Sequence, residues 1–273
     1  MKKILLNILF VVSTLAGIGL IAYPTVSDWW NQMHQSYAIA DYMESMQNLE
    51  IDYELLKREA KEYNESLLQN EEHWKMDKQS RRRYQSLLNV TGNGIMGSLS
   101  IPKIEVALPI YHGTEESVLQ IAIGHLEGSS LPVGGMSTHC VLSAHTGLPS
   151  AKLFTNLDQM EKGDLFTIQV LDEVLAYEVD QILVAEPNEM EYLEVEEGKD
   201  YCTLLTCTPY GINSHRLLVR GHRVEPPAEI EVEAMAPNKL SIGIILLCLC
   251  LVILGVIIIV RCVKKCKARE KKS

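Results

Sequence analysis

Two apolar runs constrain this chain more than anything else in it. Residues 4–23 and 240–260 are almost uncharged, and each is close to the roughly twenty residues an α-helix needs to cross a hydrocarbon core. A cleaved leader is the other reading of the first run. Its length, and the Ala22-Tyr23-Pro24-Thr25 that closes it in place of a small-residue cleavage site, favour a retained anchor. The flanking charge then sets orientation. Lys2 and Lys3 precede the first run, and Arg261, Lys264, Lys265, Lys267, Arg269, Lys271 and Lys272 follow the second. Basic flanks stay on the cytoplasmic side, which places residues 24–238 outside the cell membrane with both termini cytoplasmic.

The charge balance sharpens this division. The two tails carry nine Lys/Arg against Glu270, net +8, in a chain of net −10, so the stretch between the two apolar runs, residues 24–239, holds −18. So acidic a surface argues against nucleic acid as a partner. Of seven cysteines, Cys248, Cys250, Cys262 and Cys266 lie in or beside the second run. The remaining three, Cys140, Cys202 and Cys207, are too few and too oddly numbered for a disulfide framework. An odd cysteine outside the membrane is a candidate reactive thiol.

The outside portion has two parts. Residues 26–89 contain no glycine, and apolar residues recur every three or four positions (Ile39, Met43, Met46, then Leu55, Leu56, Tyr63, Leu67). That spacing predicts amphipathic helix in two segments. Composition changes at TGNG, residues 91–94. Short β-type runs follow at 97–101, 106–111, 138–144, 164–170, 174–185, 201–206 and 216–224, with helical pieces expected at 115–123 and 151–160. So many short strands predict a mainly β domain, a closed or nearly closed barrel over residues 93–226. The expected order is therefore a cytoplasmic stub (1–3), an anchor (4–23), a helical region (24–92), the barrel, an acidic linker (227–239), a second span (240–260) and a basic tail (261–273).

Two strand ends carry the chemistry. Residues 203–216 read TLLTCTPYGINSHR: a β-run ends on Cys207, a Pro-Tyr-Gly turn follows, and Arg216 stands nine positions on. Residues 141–147 read VLSAHTG, a second β-run ending on His145 before a Thr-Gly turn. Strand ends with loops attached are where a scaffold presents reactive groups. A thiolate is a nucleophile, an imidazole can make it or protonate a leaving amine, and a guanidinium can meet a developing oxyanion. His139, His145, His215 and His222 show no ligand spacing, so neither metal nor cofactor is expected.

The segment 203–223, TLLTCTPYGINSHRLLVRGHR, resembles the signature of sortases, and specifically of the pilin-polymerising class C. The likeness extends to GHLEGSSLPVGG (124–135), HCVLSAHTGLPSAKLF (139–154) and YNESLL (63–68), and so to most of residues 35–226. The paired membrane spans also match class C. The resemblance implies an eight-stranded sortase barrel in a membrane-bound cysteine transpeptidase of Gram-positive bacteria. Such an enzyme cuts an LPxTG-like sorting signal between Thr and Gly, holds it as a thioester and passes it to a pilin lysine. By position, Cys207 is then the nucleophile, His145 the acid/base and Arg216 the oxyanion or substrate-positioning cation. A housekeeping-type sortase that anchors surface proteins to the wall, and a non-catalytic pilus-tethering module, remain the alternatives.

Two departures from the family pattern stand out. Class C enzymes commonly carry an Asp-Pro-aromatic lid before the barrel. The equivalent stretch here, EEHWKMDKQSRRRY (71–84), has none, and reads as a surface helix with a basic run, with Trp74 and Met76 the residues able to stand in for a lid. The second is Cys140 and Cys202, each five residues before His145 and Cys207. Parallel neighbouring strands would set these two thiols opposite one another, where a lateral bridge is awkward, so two buried free thiols are expected.

Overall fold

The computed structural model describes residues 2–48, 52–70 and 72–226, with isolated positions between 243 and 261. The expected second span and the linker before it lie outside the described residues. The chain divides into two compact units, residues 1–32 with 149–151 and 237–273, and residues 33–148 with 152–236.

The first unit is built on the leading part of α1 (Lys2–Asn48), which is long and apolar enough to cross a membrane. Leu9, Phe10, Leu20 and Ile21 stand exposed along it. A helix apolar on every side needs an apolar surrounding, which is what a bilayer supplies. The helix does not end with the apolar run: α1 runs through Pro24 and on to Asn48.

The second unit contains the rest of α1, then α2 (Tyr53–Leu68), α3 (Lys78–Ser86), β1 (Ile95–Ile101), β2 (Val106–His112), α4 (Glu116–Leu119), β3 (Ile123–His125), β4 (Thr138–Ser143), β5 (Leu165–Val170), β6 (Glu173–Ala185), β7 (Asp200–Thr208) and β8 (His215–Val224). The strands close into a barrel in the order β1-β2-β3-β4-β7-β8-β6-β5, as the mainly β reading requires. Two neighbouring pairs are parallel, β2 with β3 and β4 with β7. Alternate residues of each strand fill the interior, among them Leu99, Leu142, Phe166, Tyr177, Leu204 and Val219. Phe166 and Tyr177 stack with centroids 5.5 Å apart. Gly221 makes room for that stack, since a Cβ there would lie 2.7 Å from the Phe166 ring.

The helices are fastened to the barrel by buried polar groups. Tyr42 of α1 donates its hydroxyl to the Met96 carbonyl and accepts from the Leu171 amide, at 3.1 and 3.0 Å. Asn64 of α2 treats Leu131 as a strand neighbour would: its amide donates to the Leu131 carbonyl (3.2 Å) and accepts from the Leu131 N–H (2.7 Å). α2 and α3 start on aspartates, with Asp52 and Asp77 accepting from the N–H three residues on.

Three local expectations need correction. The helical region holds α2 and α3 besides α1, not two segments in all. The helix expected at 115–123 covers only Glu116–Leu119, and Ile123 opens a strand. The helix expected at 151–160 is a single 3-10 turn, Leu157–Gln159. Leu153 has a left-handed backbone (φ 42°), and the Phe154 N–H is drawn away to the His145 carbonyl at 3.1 Å. A helix cannot pass such a residue.

Candidate active site

The parallel β4–β7 pair keeps one offset throughout, from Thr138 beside Asp200 to Ser143 beside Leu205. That register persists past the end of β4. The Ala144 N–H donates to the Leu205 carbonyl (3.2 Å), and the Thr206 hydroxyl donates to the Ala144 carbonyl (2.8 Å). Extended by two residues, it sets His145 beside Cys207. Cys207 in turn pairs directly with Arg216 across β7 and β8. The three residues singled out in the sequence therefore form one row across three adjacent strand ends.

Strand alternation decides which way the row faces. Cys202, Leu204 and Thr206 are buried, whereas Leu205 and Cys207 are half-buried, so the Cys207 thiol belongs to the outer face. It is a free thiol. The His145 side chain is 27% exposed, and its Nε2 lies 3.5 Å from Oε2 of Glu116. Arg216 donates Nη1 to the carbonyls of His215 (3.1 Å) and Asn213 (3.4 Å) and forms no ion pair among the described residues. Arg220, four residues further along β8, is fully committed. It grips both oxygens of Asp180 at 3.0 and 3.1 Å, reaches Glu196 at 3.2 Å and lies 4.0 Å over the Tyr201 ring. Of these two arginines, Arg216 is the one with charge to offer a ligand.

The loops beyond the row are tied to each other. After β7 the chain turns through a cis Thr208–Pro209 bond, and the Ile212 and Asn213 N–H groups return to the Pro209 carbonyl. Tyr210 is 68% exposed, and its ring covers Gly147 in the loop after His145 so closely that a Cβ there would sit 3.1 Å from it.

One step behind the row is an apolar patch. Leu205 and Leu218, paired across β7 and β8, join Val141, Leu193 and the half-buried Trp74. Trp74 is anchored by its indole N–H to Glu194 Oε1 (2.8 Å), and His73 meets Glu194 Oε2 (3.1 Å). Glu194 is itself held from below. Its carbonyl accepts from Nδ1 of buried His139 (2.9 Å), whose Nε2 accepts from the Thr203 hydroxyl (2.7 Å). Burial, and then the Arg220 charge, keep His139 below its usual range and hence neutral, despite the opposing Glu194 carbonyl. The expected surface helix with a basic run is confined to α3; the turns ahead of it lie on the patch instead.

Cys140 and Cys202 are register partners, both buried and both free. Burial and the neighbouring Cys140 push the Cys202 thiol up. Burial would raise Cys140 also, but hydrogen bonds from Cys202 and His125 outweigh it and pull that thiol down. Glu116, Tyr210, Glu194 and Trp74 were not legible as a group beforehand. Only the fold brings their four separate segments to one end of the barrel.

A sortase domain model matches residues 99–224, a stretch containing the whole row. The crystal structure of sortase C1 from Streptococcus agalactiae is 50% identical and superposes with a TM-score of 0.67, covering 70% of this chain and 100% of that one. A sortase C of Clostridium perfringens, solved with the C-terminal cell wall sorting motif, is 42% identical with a TM-score of 0.61, covering 70% and 99%. Among curated proteins, sortase A of Streptococcus agalactiae serotype III is 29% identical over 42% of this chain, and the match spans 47% of that protein's length. With a 50% identical relative covered from end to end, this chain belongs to the sortase family of cysteine transpeptidases, in its class C.

Proposed function

We propose that this chain is a membrane-anchored transpeptidase that joins pilin subunits. The Cys207 thiolate attacks the Thr carbonyl of an LPxTG-like sorting signal, and the tetrahedral oxyanion forms within reach of the Arg216 guanidinium. His145 gives a proton to the departing Gly amine, leaving the signal as a thioester on Cys207. A pilin lysine amine then attacks the thioester, His145 takes its proton, and the Cys207 thiolate leaves as the new amide forms. Repeated cycles build a covalent shaft. No metal or cofactor enters the sequence of steps. Residues 24–238 work outside the cell, held by α1 and by a second span at 240–260.

The observation carrying this reading is the row of nucleophile, base and cation set by strand register. The apolar patch behind it suits the Leu and Pro of a sorting signal. The sorting motif solved with the Clostridium perfringens sortase C, and the pilus-related sortase C of Group B Streptococcus, 40% identical with a TM-score of 0.59, point to the same substrate class.

The test is intact mass after incubation with an LPxTG peptide, beside the Cys207→Ala chain. A gain equal to the peptide through Thr, absent from the variant, is the expected result. No adduct on a Cys207 that a small alkylating probe still modifies would sink the LPxTG assignment. Transfer of the thioester to a peptidoglycan-type amine in preference to a pilin lysine would favour the housekeeping reading.

A further inference from the structure

The chemistry above uses three groups, yet His145 has a fourth neighbour. Oε2 of Glu116 lies 3.5 Å from His145 Nε2, at the edge of hydrogen-bond reach. That nitrogen is buried and has no hydrogen-bonding partner among the described residues. The other carboxylate oxygen, Oε1, accepts from the Gln120 side chain at 3.0 Å. The Gln120 amide, first, and then the His145 ring hold the Glu116 carboxyl below its usual range, so it is ionised at neutral pH.

The placement of Glu116 is built into the barrel. β2 and β3 are parallel neighbours and need a crossover between them; α4 is that crossover. Its ends are pinched together, since a Cβ on Gly124 would collide with the Gly113 carbonyl. The Gly113 N–H is in turn fixed by the buried Tyr84 hydroxyl at 3.0 Å. Within α4, backbone bonds from Leu119 to Glu115 (3.0 Å) and from Gln120 to Glu116 (3.1 Å) close the turn. β3 pairs antiparallel with β4, Gly124 beside Ser143, which brings the start of β3 and the crossover ahead of it to the strand end that carries His145.

We propose that Glu116, steadied by Gln120, is a positioning residue for the acid/base His145. This rests on the role given to His145 above. A carboxylate facing Nε2 keeps a proton on that nitrogen and fixes the ring, which leaves Nδ1 for exchange with the Cys207 thiol and the substrate amines. Beside Glu116 from α4, strand register brings Cys207 from β7 and Arg216 from β8 to the same end as His145.

The experiment uses the full-length chain in detergent. Glu116→Gln keeps the shape of the side chain and removes its charge. It is expected to lower kcat for thioester formation about fivefold, the effect of an exposed charge pair, with KM and thermal midpoint unchanged. Gln120→Ala should show the same pattern more weakly. Ring nitrogen signals of 15N-histidine in the Cys207→Ala chain supply the second readout. The His145 signal, identified by its loss in His145→Gln, should show Nε2 carrying the proton, and Glu116→Ala should redistribute it between the two nitrogens. Unchanged kcat, or a lower kcat accompanied by a fall in thermal midpoint and an unaltered ring signal, would overturn the assignment. If the unmodified chain forms no thioester, the functional reading fails, and the ring signals still decide whether Glu116 orients His145.

Discussion

The three cysteines of the barrel differ in one physical respect: which face of a strand they occupy. Cys140 and Cys202 point into the barrel and Cys207 points out of it. Of these three, a small alkylating reagent should therefore modify only Cys207 in the native protein, and all three after unfolding, as peptide mapping would show. Modification of Cys202 without unfolding would contradict the assignment of faces. Arg216 offers a second contrast. Lysine at that position keeps the charge but loses the planar donor fork, so Arg216→Lys should slow thioester formation about a hundredfold, the scale of one lost oxyanion donor. Arg220→Lys should instead lower the thermal midpoint, because the paired grip on Asp180 is lost.

The elements show how far the sequence could be read. Alternation and turn residues located seven of the eight strands, and the equivalent positions of His145 and Cys207 at two strand ends marked the site. β3 escaped because three residues carry no period, and 151–160 escaped because one left-handed leucine cancels a helical composition. Trp74 and Glu194 met only through tertiary packing of segments 120 residues apart. Each fastening should be measurable. Asn64→Ala strands the buried N–H of Leu131, whose C=O still accepts from the Val133 N–H, and should cost about 2 kcal/mol in urea unfolding. His139 is held neutral in the fold, so an unfolded chain binds its proton more readily. The stability this provides is complete above the ordinary histidine range and drains away as pH falls through it. The thermal midpoint should drop on acidification, and less steeply in His139→Gln. Trp74→Ala should uncover the apolar patch and lower KM for the sorting peptide, with kcat unchanged.

At the scale of the molecule, charge and connectivity govern behaviour. With −18 on residues 24–239, a cationic acceptor amine would be drawn in by a field that salt screens. Raising ionic strength should slow transfer to a cationic acceptor while leaving acylation by a neutral sorting peptide unaffected, a difference that two-step kinetics would resolve. The parallel pairing of β4 with β7 has a further consequence, for biogenesis. Strands that run the same way cannot be joined by a hairpin, so the 61 residues 146–206, including all of β5 and β6, separate His145 from the cysteine beside it. In chain order the proposed base, His145, comes early and the proposed nucleophile, Cys207, late. The thiol meets that histidine only once β7 has paired with β4, so a chain broken off before β7 carries the proposed base without its nucleophile.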